Sequence, residues 1–235
     1  VSVDFNGGTN RVVTSGNLTT GALASFGAWI YPLGLGGGNS GCIWAHGVSG
    51  SMRSVLGWTG TAGENKLRYR CQRATTGGTW DMTTAFPAIN TWRWVGVTYD
   101  AGSTGNHPIL YVLDSESRAW SVLTNGAGLT RTSTPSGAMP SDNVAVRFGN
   151  ISALSQQWNG FLAHLFSYSR ILTDSEMRLV AYRGARRLPR SLLFSWPAAR
   201  FVGGTVLDEL GLLPGTPSGT GTAASAPEQH PPARW

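Results

Sequence analysis

The chain is short of charge: 13% of its 235 residues are Asp, Glu, Lys or Arg, and only twelve of those are acids. The formal charge of +6 reflects scarce acids as much as plentiful bases, so the basic balance alone is weak evidence for a nucleic-acid partner. Cysteine is scarcer still. Cys42 and Cys71 are the only two, which excludes a disulfide scaffold, and their spacing leaves open whether they are bonded to each other. No apolar run approaches the eighteen or so residues of a membrane helix, and no charged-then-apolar leader opens the chain, so a soluble protein with no membrane partner is expected. Val1 could follow removal of a methionine or of a signal peptide, two histories that look alike and leave the compartment open. No G-x-S-x-G elbow, phosphate-binding loop or dinucleotide fingerprint occurs. His46, His107, His164 and His230 are scattered, none at a metal-ligand spacing from another histidine or cysteine. No cofactor and no metal is expected.

Apolar residues and turn formers are abundant. Some 41% of residues are apolar, ten of them tryptophan, so a large core is within reach, and thirty-two glycines without a three-residue period point to many tight turns between short strands. The length suits one β-sandwich with a tail.

Strands are expected on both sides of Asn6-Gly7-Gly8, as a hairpin-like opening, and over Ser25 to Tyr31, ended by Pro32. Gly34 to Gly38 reads as a mobile loop. Cys42 to His46, Arg53 to Trp58 and Lys66 to Gln72 follow as strands, and in LRYRC the alternation of apolar and basic residues leaves one face wet. TWRWVGVTYD, Thr91 to Asp100, is the strongest strand; His107 to Leu113 and Ala119 to Leu123 pair across Asp114 to Ser117. Val144 to Gly149 and Trp158 to Ser167 close the set. One helix is marked by Thr173 and Glu176 as a capping box and by Gly184 as its stop, and it is expected on the sandwich edge. Strands at this spacing without intervening helices favour an antiparallel sandwich over a βαβ fold. From Gly203 the chain is rich in Gly, Pro, Ser, Thr and Ala and cannot make its own core. The expected division is a sandwich over 1–184 and a basic, proline- and glycine-rich arm over 185–235.

Three stretches together resemble the laminin-G-like jelly rolls of the concanavalin A-like superfamily. They are FNGGTNRVV at the start, TWRWVGVTYD followed by ILYV in the middle, and VRFGN with WNGFLAHLFSYSRILTDSEM at the close, covering Val1 to about Tyr182. The resemblance implies an all-β, antiparallel two-sheet jelly-roll sandwich with one short helix and an extended C-terminal arm. Trp92, Tyr99, Tyr111, Trp158 and Phe161 then become core. Two departures stand out: Gly160-Phe161-Leu162 is followed by Ala163 and His164 where the family has Asp, and Leu113-Asp114-Ser115 replaces an Asn-Gly turn. Calcium-binding members hold the ion with loop acids and amides; such clusters are sparse here, which leaves calcium as a minor alternative to an ion-free domain.

A glycoside hydrolase on this fold needs two carboxylates roughly 5 to 9.5 Å apart. Laminarinase-type relatives carry E-x-D-x-x-E, which is absent, and Asp114 with Glu116 is the one strand-spaced pair near a sheet end; the plainer reading is a solvated turn. No catalytic residue is assigned and a non-enzyme is expected. Trp44, Trp58 and Trp80 are candidates for stacking on sugar rings, against the plainer reading as core. Six of the eighteen basic residues lie between Arg178 and Arg200; within the cluster Arg183, Arg186, Arg187 and Arg190 no aromatic residue interleaves, so nucleic acid is not suggested. Arg186, Arg187, Arg190, Leu192, Leu193, Phe194, Trp196 and Phe201 are the candidate assembly contacts, apolar and basic groups to be covered by a neighbouring subunit or another protein.

Tailed-phage virion proteins with laminin-G-like domains look similar, including an arginine- and proline-containing ending. The leading expectation is a structural virion protein, a capsid decoration or fibre component at the virion surface, that meets capsid proteins and copies of itself through the arm. The rival is a secreted or cell-surface carbohydrate-binding lectin module, and a third reading is a degenerate glucanase.

Overall fold

The computed structural model describes residues 2–6, 11–14, 16–47, 52–86, 89–140, 143–151, 153–196, 201–202, 205–206, 215–218 and 223–224. The first strands are β1 (Ser2–Asn6), β2 (Arg11–Thr14), β3 (Leu23–Gly34), β4 (Cys42–His46), β5 (Ser54–Trp58) and β6 (Leu67–Cys71). Then come β7 (Gly78–Met82), β8 (Arg93–Asp100), β9 (Ile109–Asp114), β10 (Trp120–Asn125), β11 (Gly128–Ser133), β12 (Val146–Phe148) and β13 (Asn159–Tyr168). Helix α1 (Asp174–Arg183) precedes β14 (Leu192–Trp196), and the short strands β15 (Phe201–Val202), β16 (Thr205–Val206), β17 (Gly215–Ser218) and β18 (Ala223–Ala224) end the series.

These strands form two antiparallel sheets, joined where the edge strands β10 and β11 make a short parallel pairing. In the first, β10, β9, β8, β3 and β13 lie side by side, and the far edge of β13 is shared end to end by β1 along Asn159 to Leu162 and β14 along Leu165 to Tyr168. The second runs β11, β7, β6, β5, β4, β12, β2 and β17, with β16 and β15 beyond. The expected two-sheet sandwich is the fold. The opening is not a hairpin: β1 pairs with β13 and β2 with β12, so consecutive strands enter different sheets. Pro32 does not end β3, because a bulge opposite Gly160 lets the strand continue to Gly34. β7, β11 and β14 are strands that pattern reading did not find.

Alternation fills both faces of the first sheet. Phe26 of β3 points between the sheets, where it stacks on Trp44 of β4 with ring centroids 4.3 Å apart, while Tyr99 of β8 meets Tyr69 and Trp80. On the outer face Trp94 stacks between Trp120 and Phe166. Helix α1 lies over this outer face and not on the edge. The cross-strand pair Gly27 and Gly96 explains why: a Cβ on Gly96 would come within 2.5 Å of the Met177 Cε, so the missing side chain is the space that the helix occupies. Asp174 Oδ1 accepts from the Trp120 indole at 2.7 Å, tying the start of the helix to β10. The capping box is present as expected, with Thr173 and Glu176 exchanging bonds, and Gly184 follows the last turn. Trp92, Tyr99, Tyr111, Trp158 and Phe161 are all buried.

The assembly contacts expected in the arm require correction. Leu192, Phe194 and Trp196 are buried in this chain's own sandwich. Phe194 stacks on Trp44 at 6.0 Å and Trp196 meets Phe148 at 5.0 Å, because β14 is hydrogen bonded to β13 as an integral strand. Leu193 is half-buried against the same core. A boundary after residue 184 therefore leaves out a strand of the first sheet. Phe201 begins β15, and its side chain lies outside the described residues. Arg186, Arg187 and Arg190 are exposed around the 3-10 turn Ala185–Arg187.

Candidate functional site

Trp44, Trp58 and Trp80 do not form a sugar platform, because all three point between the sheets and are at most 3% exposed. Trp44 is stacked on Phe26 and Phe194, Trp58 lies against Trp158 at 5.5 Å, and Trp80 donates its indole N–H to His107 Nδ1 at 3.0 Å. Strand parity is the reason: each occupies an inward position of a strand whose alternate residues face out. Cys42 and Cys71 are free and buried; Cys42 lies on β4 and Cys71 on β6, with β5 between them. Burial pushes the Cys42 thiol up to about 12, so it stays protonated.

Asp114 is fully occupied by structure. It is the cross-strand partner of Arg93 and receives that guanidinium at 2.7 Å, while its Oδ1 accepts the backbone N–H of Glu116 and of Ser117. Burial pushes its carboxyl up, but the two N–H donors and the Arg93 charge outweigh burial and hold it below the usual carboxylate range. Glu116 is exposed in the same turn. Among the described residues no three His, Cys, Asp or Glu side chains group as a metal set.

A groove of roughly 330 Å³ opens instead on the outer face of the second sheet, a site that sequence reasoning missed. Its floor follows strand register. Arg68 of β6 stands opposite Asp81 of β7, which stands opposite Thr130 of β11, so one row of outward side chains crosses three strands. The β5–β6 connection adds Thr59, Thr61, Glu64 and Lys66, and Thr83 and Thr132 stand at the ends of the β7 and β11 wall. From β5 to β11 is three strand spacings, roughly 14 Å.

The groove's charges are arranged in pairs. Arg68 meets Asp81 in a two-point bond, Nε to Oδ1 at 2.6 Å and Nη2 to Oδ2 at 2.8 Å, and this bond raises the guanidinium further above its already high range. Lys66 Nζ lies 3.3 Å from Glu64 Oε1. Arg70, the next outward residue of β6, donates to Gln156 Oε1 at 3.2 Å and does not line the groove. Thr59 is 6% exposed and its hydroxyl has no hydrogen-bond partner among the described residues. The surface is thus a strip of hydroxyls, bound cations and bound carboxylates, with donors and acceptors side by side. LRYRC held a signal for it in its wet face, but its partner strands had to be found first.

No family model and no curated protein matches the chain. Solved structures do. A "putative carbohydrate binding protein" from Bacteroides ovatus superposes with a TM-score of 0.64 at 15% identity, over 96% of this chain and 60% of that one. The chain thus spans about three-fifths of that protein's length. The native heptameric SAP-like pentraxin of Limulus polyphemus gives 0.52 at 14% identity, over 76% of this chain and 80% of the pentraxin. Domains LG4-5 of the mouse laminin α1 chain give 0.49 at 10% identity, over 73% and 44%, too little to carry an argument. What the two stronger likenesses establish is the fold alone: a two-sheet, antiparallel jelly-roll sandwich.

Proposed function

We propose that this chain is a non-catalytic carbohydrate-binding module whose ligand lies in the groove across β6, β7 and β11. The observation that carries the reading is the row of half-buried Arg68 and Asp81 and exposed Thr130 on the outer face of the sheet, with donors and acceptors alternating at strand spacing. Sugar hydroxyls both donate and accept, so they suit such a row, and sheet-borne side chains are held in position before the ligand arrives. The likeness to the Bacteroides ovatus protein agrees with this reading at the level of fold.

The use of the groove's carboxylates supports a reading of binding without cleavage. Asp81 has both oxygens on Arg68, and Glu64 faces Lys66. Neither is placed as the proton donor that glycoside cleavage requires. The alternative of a virion component assembled through the C-terminal segment has lost Leu192, Phe194 and Trp196, three of the eight residues that argued for it.

A glycan array with the whole chain and with Thr130→Trp is the test. Thr130 is exposed on β11, so tryptophan fills the groove without entering the core. Binding to at least one glycan by the native chain, lost at least tenfold in Thr130→Trp with unchanged thermal unfolding, is expected. A folded native chain that binds no glycan, or binding that Thr130→Trp leaves intact, overturns the reading.

A further inference from the structure

The groove's charges cancel: Lys66 and Arg68 contribute two positive charges, and Glu64 and Asp81 two negative. We infer that the groove selects uncharged, hydroxyl-rich glycan segments and rejects sulfated and uronic-acid polymers, an inference that rests on the carbohydrate-binding reading above.

The chemistry follows from how each pair is spent. Arg68 uses Nε and Nη2 on Asp81, which leaves its Nη1 without a partner among the described residues, and each Asp81 oxygen accepts one bond from Arg68 and keeps a further lone pair. A guanidinium and a carboxylate fixed side by side offer a donor next to an acceptor. Two neighbouring ring hydroxyls match that pattern, one accepting from Nη1 and one donating to the Asp81 carboxylate. A sulfate or carboxylate ligand matches only half of it. It would gain from Arg68 while lying beside Asp81, and Glu64 repeats the conflict next to Lys66. Displacing either native pair would leave one of its partners uncompensated.

Thr59 adds a second, independent observation. Trp58 points into the core against Trp158, so strand parity puts Thr59 on the groove side, where it is buried with its hydroxyl unpaired among the described residues. An unspent neutral hydroxyl answers another neutral hydroxyl. Thr61, Thr83, Thr130 and Thr132 in the remaining wall are of the same kind, and Met82 is its one apolar member. Aromatic stacking has no part in it, because none of the groove's lining residues is aromatic.

Isothermal titration of the whole chain tests the inference, with laminarin, mannan and dextran as neutral probes and heparin, chondroitin sulfate and polyguluronate as anionic ones. At least one neutral polymer should bind, with affinity changing less than twofold between 50 and 500 mM NaCl, and every anionic polymer should bind at least tenfold more weakly. Thr59→Val should weaken the neutral polymer roughly three- to tenfold, the worth of one neutral hydrogen bond, without lowering the unfolding midpoint of the free protein, since it removes an unpaired buried hydroxyl. Thr130→Ala, at an exposed position, gives the same kind of readout independently of the Thr59 site. Preference for an anionic polymer, with affinity falling steeply in salt, sinks the inference and leaves carbohydrate binding standing. Absence of binding to any of the six polymers and to a glycan array removes both.

Discussion

The Trp80 indole donates its N–H to His107 Nδ1 at 3.0 Å, so the innermost residue of β7 depends on an imidazole nitrogen that must stay unprotonated. Desolvation lowers the His107 pKa below its ordinary value, and the nearby Arg131 charge lowers it further. The folded protein therefore resists protonation that the unfolded chain accepts. Stability from this contact is complete above about pH 6.5 and declines as the pH falls through the lower folded value. Urea unfolding between pH 8 and pH 4.5 should show this decline, and His107→Gln, which keeps an acceptor for Trp80 but does not titrate, should flatten it. An identical pH profile in His107→Gln would refute the role given to this bond.

Phe194 distinguishes a core strand from an assembly arm. Its ring is fully buried against Trp44, Phe148 and Trp196. Phe194→Ala should lower unfolding free energy by about 3 to 5 kcal/mol, while Arg190→Ala on the exposed turn should stay within about 0.5 kcal/mol of the native chain. The loss should not depend on protein concentration. If Phe194→Ala instead leaves stability unchanged and dissolves an oligomer, β14 belongs to an interface after all.

Glu176 anchors the start of α1 and should report on acid. Its carboxylate takes two bonds from Arg170, at 2.7 and 2.9 Å, and one from the Thr173 backbone N–H. Chiefly through Arg170, these hold its pKa down at about 2. A depressed carboxylate contributes fully above its ordinary value and loses its contribution as the pH falls towards 2. The pair is partly exposed, so Glu176→Gln should cost about 0.5 to 1 kcal/mol at pH 7. Denaturant unfolding of both proteins at pH 7 and pH 2 measures it, and the difference should vanish at pH 2.

Much of the fold was legible because its strongest strands carry their own signal. β8 is dense in aromatic and β-branched residues, and β4 was delimited by the turns around it. Thr173, Glu176 and Gly184 marked the helix ends by cap chemistry alone. What was missed has a physical pattern. In GTWDM burial alternates, but its first inward position is Gly78 with no side chain, and in GLTRTS only Leu129 is buried, so neither strand carries enough apolar side chains to be read by itself. The candidate site stands on those two strands, with β6 between β5 and β7, and so could not be read either. For Trp44, Trp58 and Trp80 the plainer reading as core is the one the structure bears out; stacking on sugars stayed open beside it because composition near a loop does not reveal parity. Leu192 to Trp196 looked unpartnered because its partner, β13, is separated from it by a helix that reads as an ending.

The end-to-end placement of β1 and β14 along β13 ties the beginning of the chain to a segment almost two hundred residues later. During synthesis β13 can acquire one half of its outer neighbour early, but the other half does not exist until Trp196 has emerged from the ribosome. Consolidation of the sandwich is therefore expected to be late, governed by contacts distant in sequence, and a nascent chain halted short of that point should leave half of that edge of β13 unpaired.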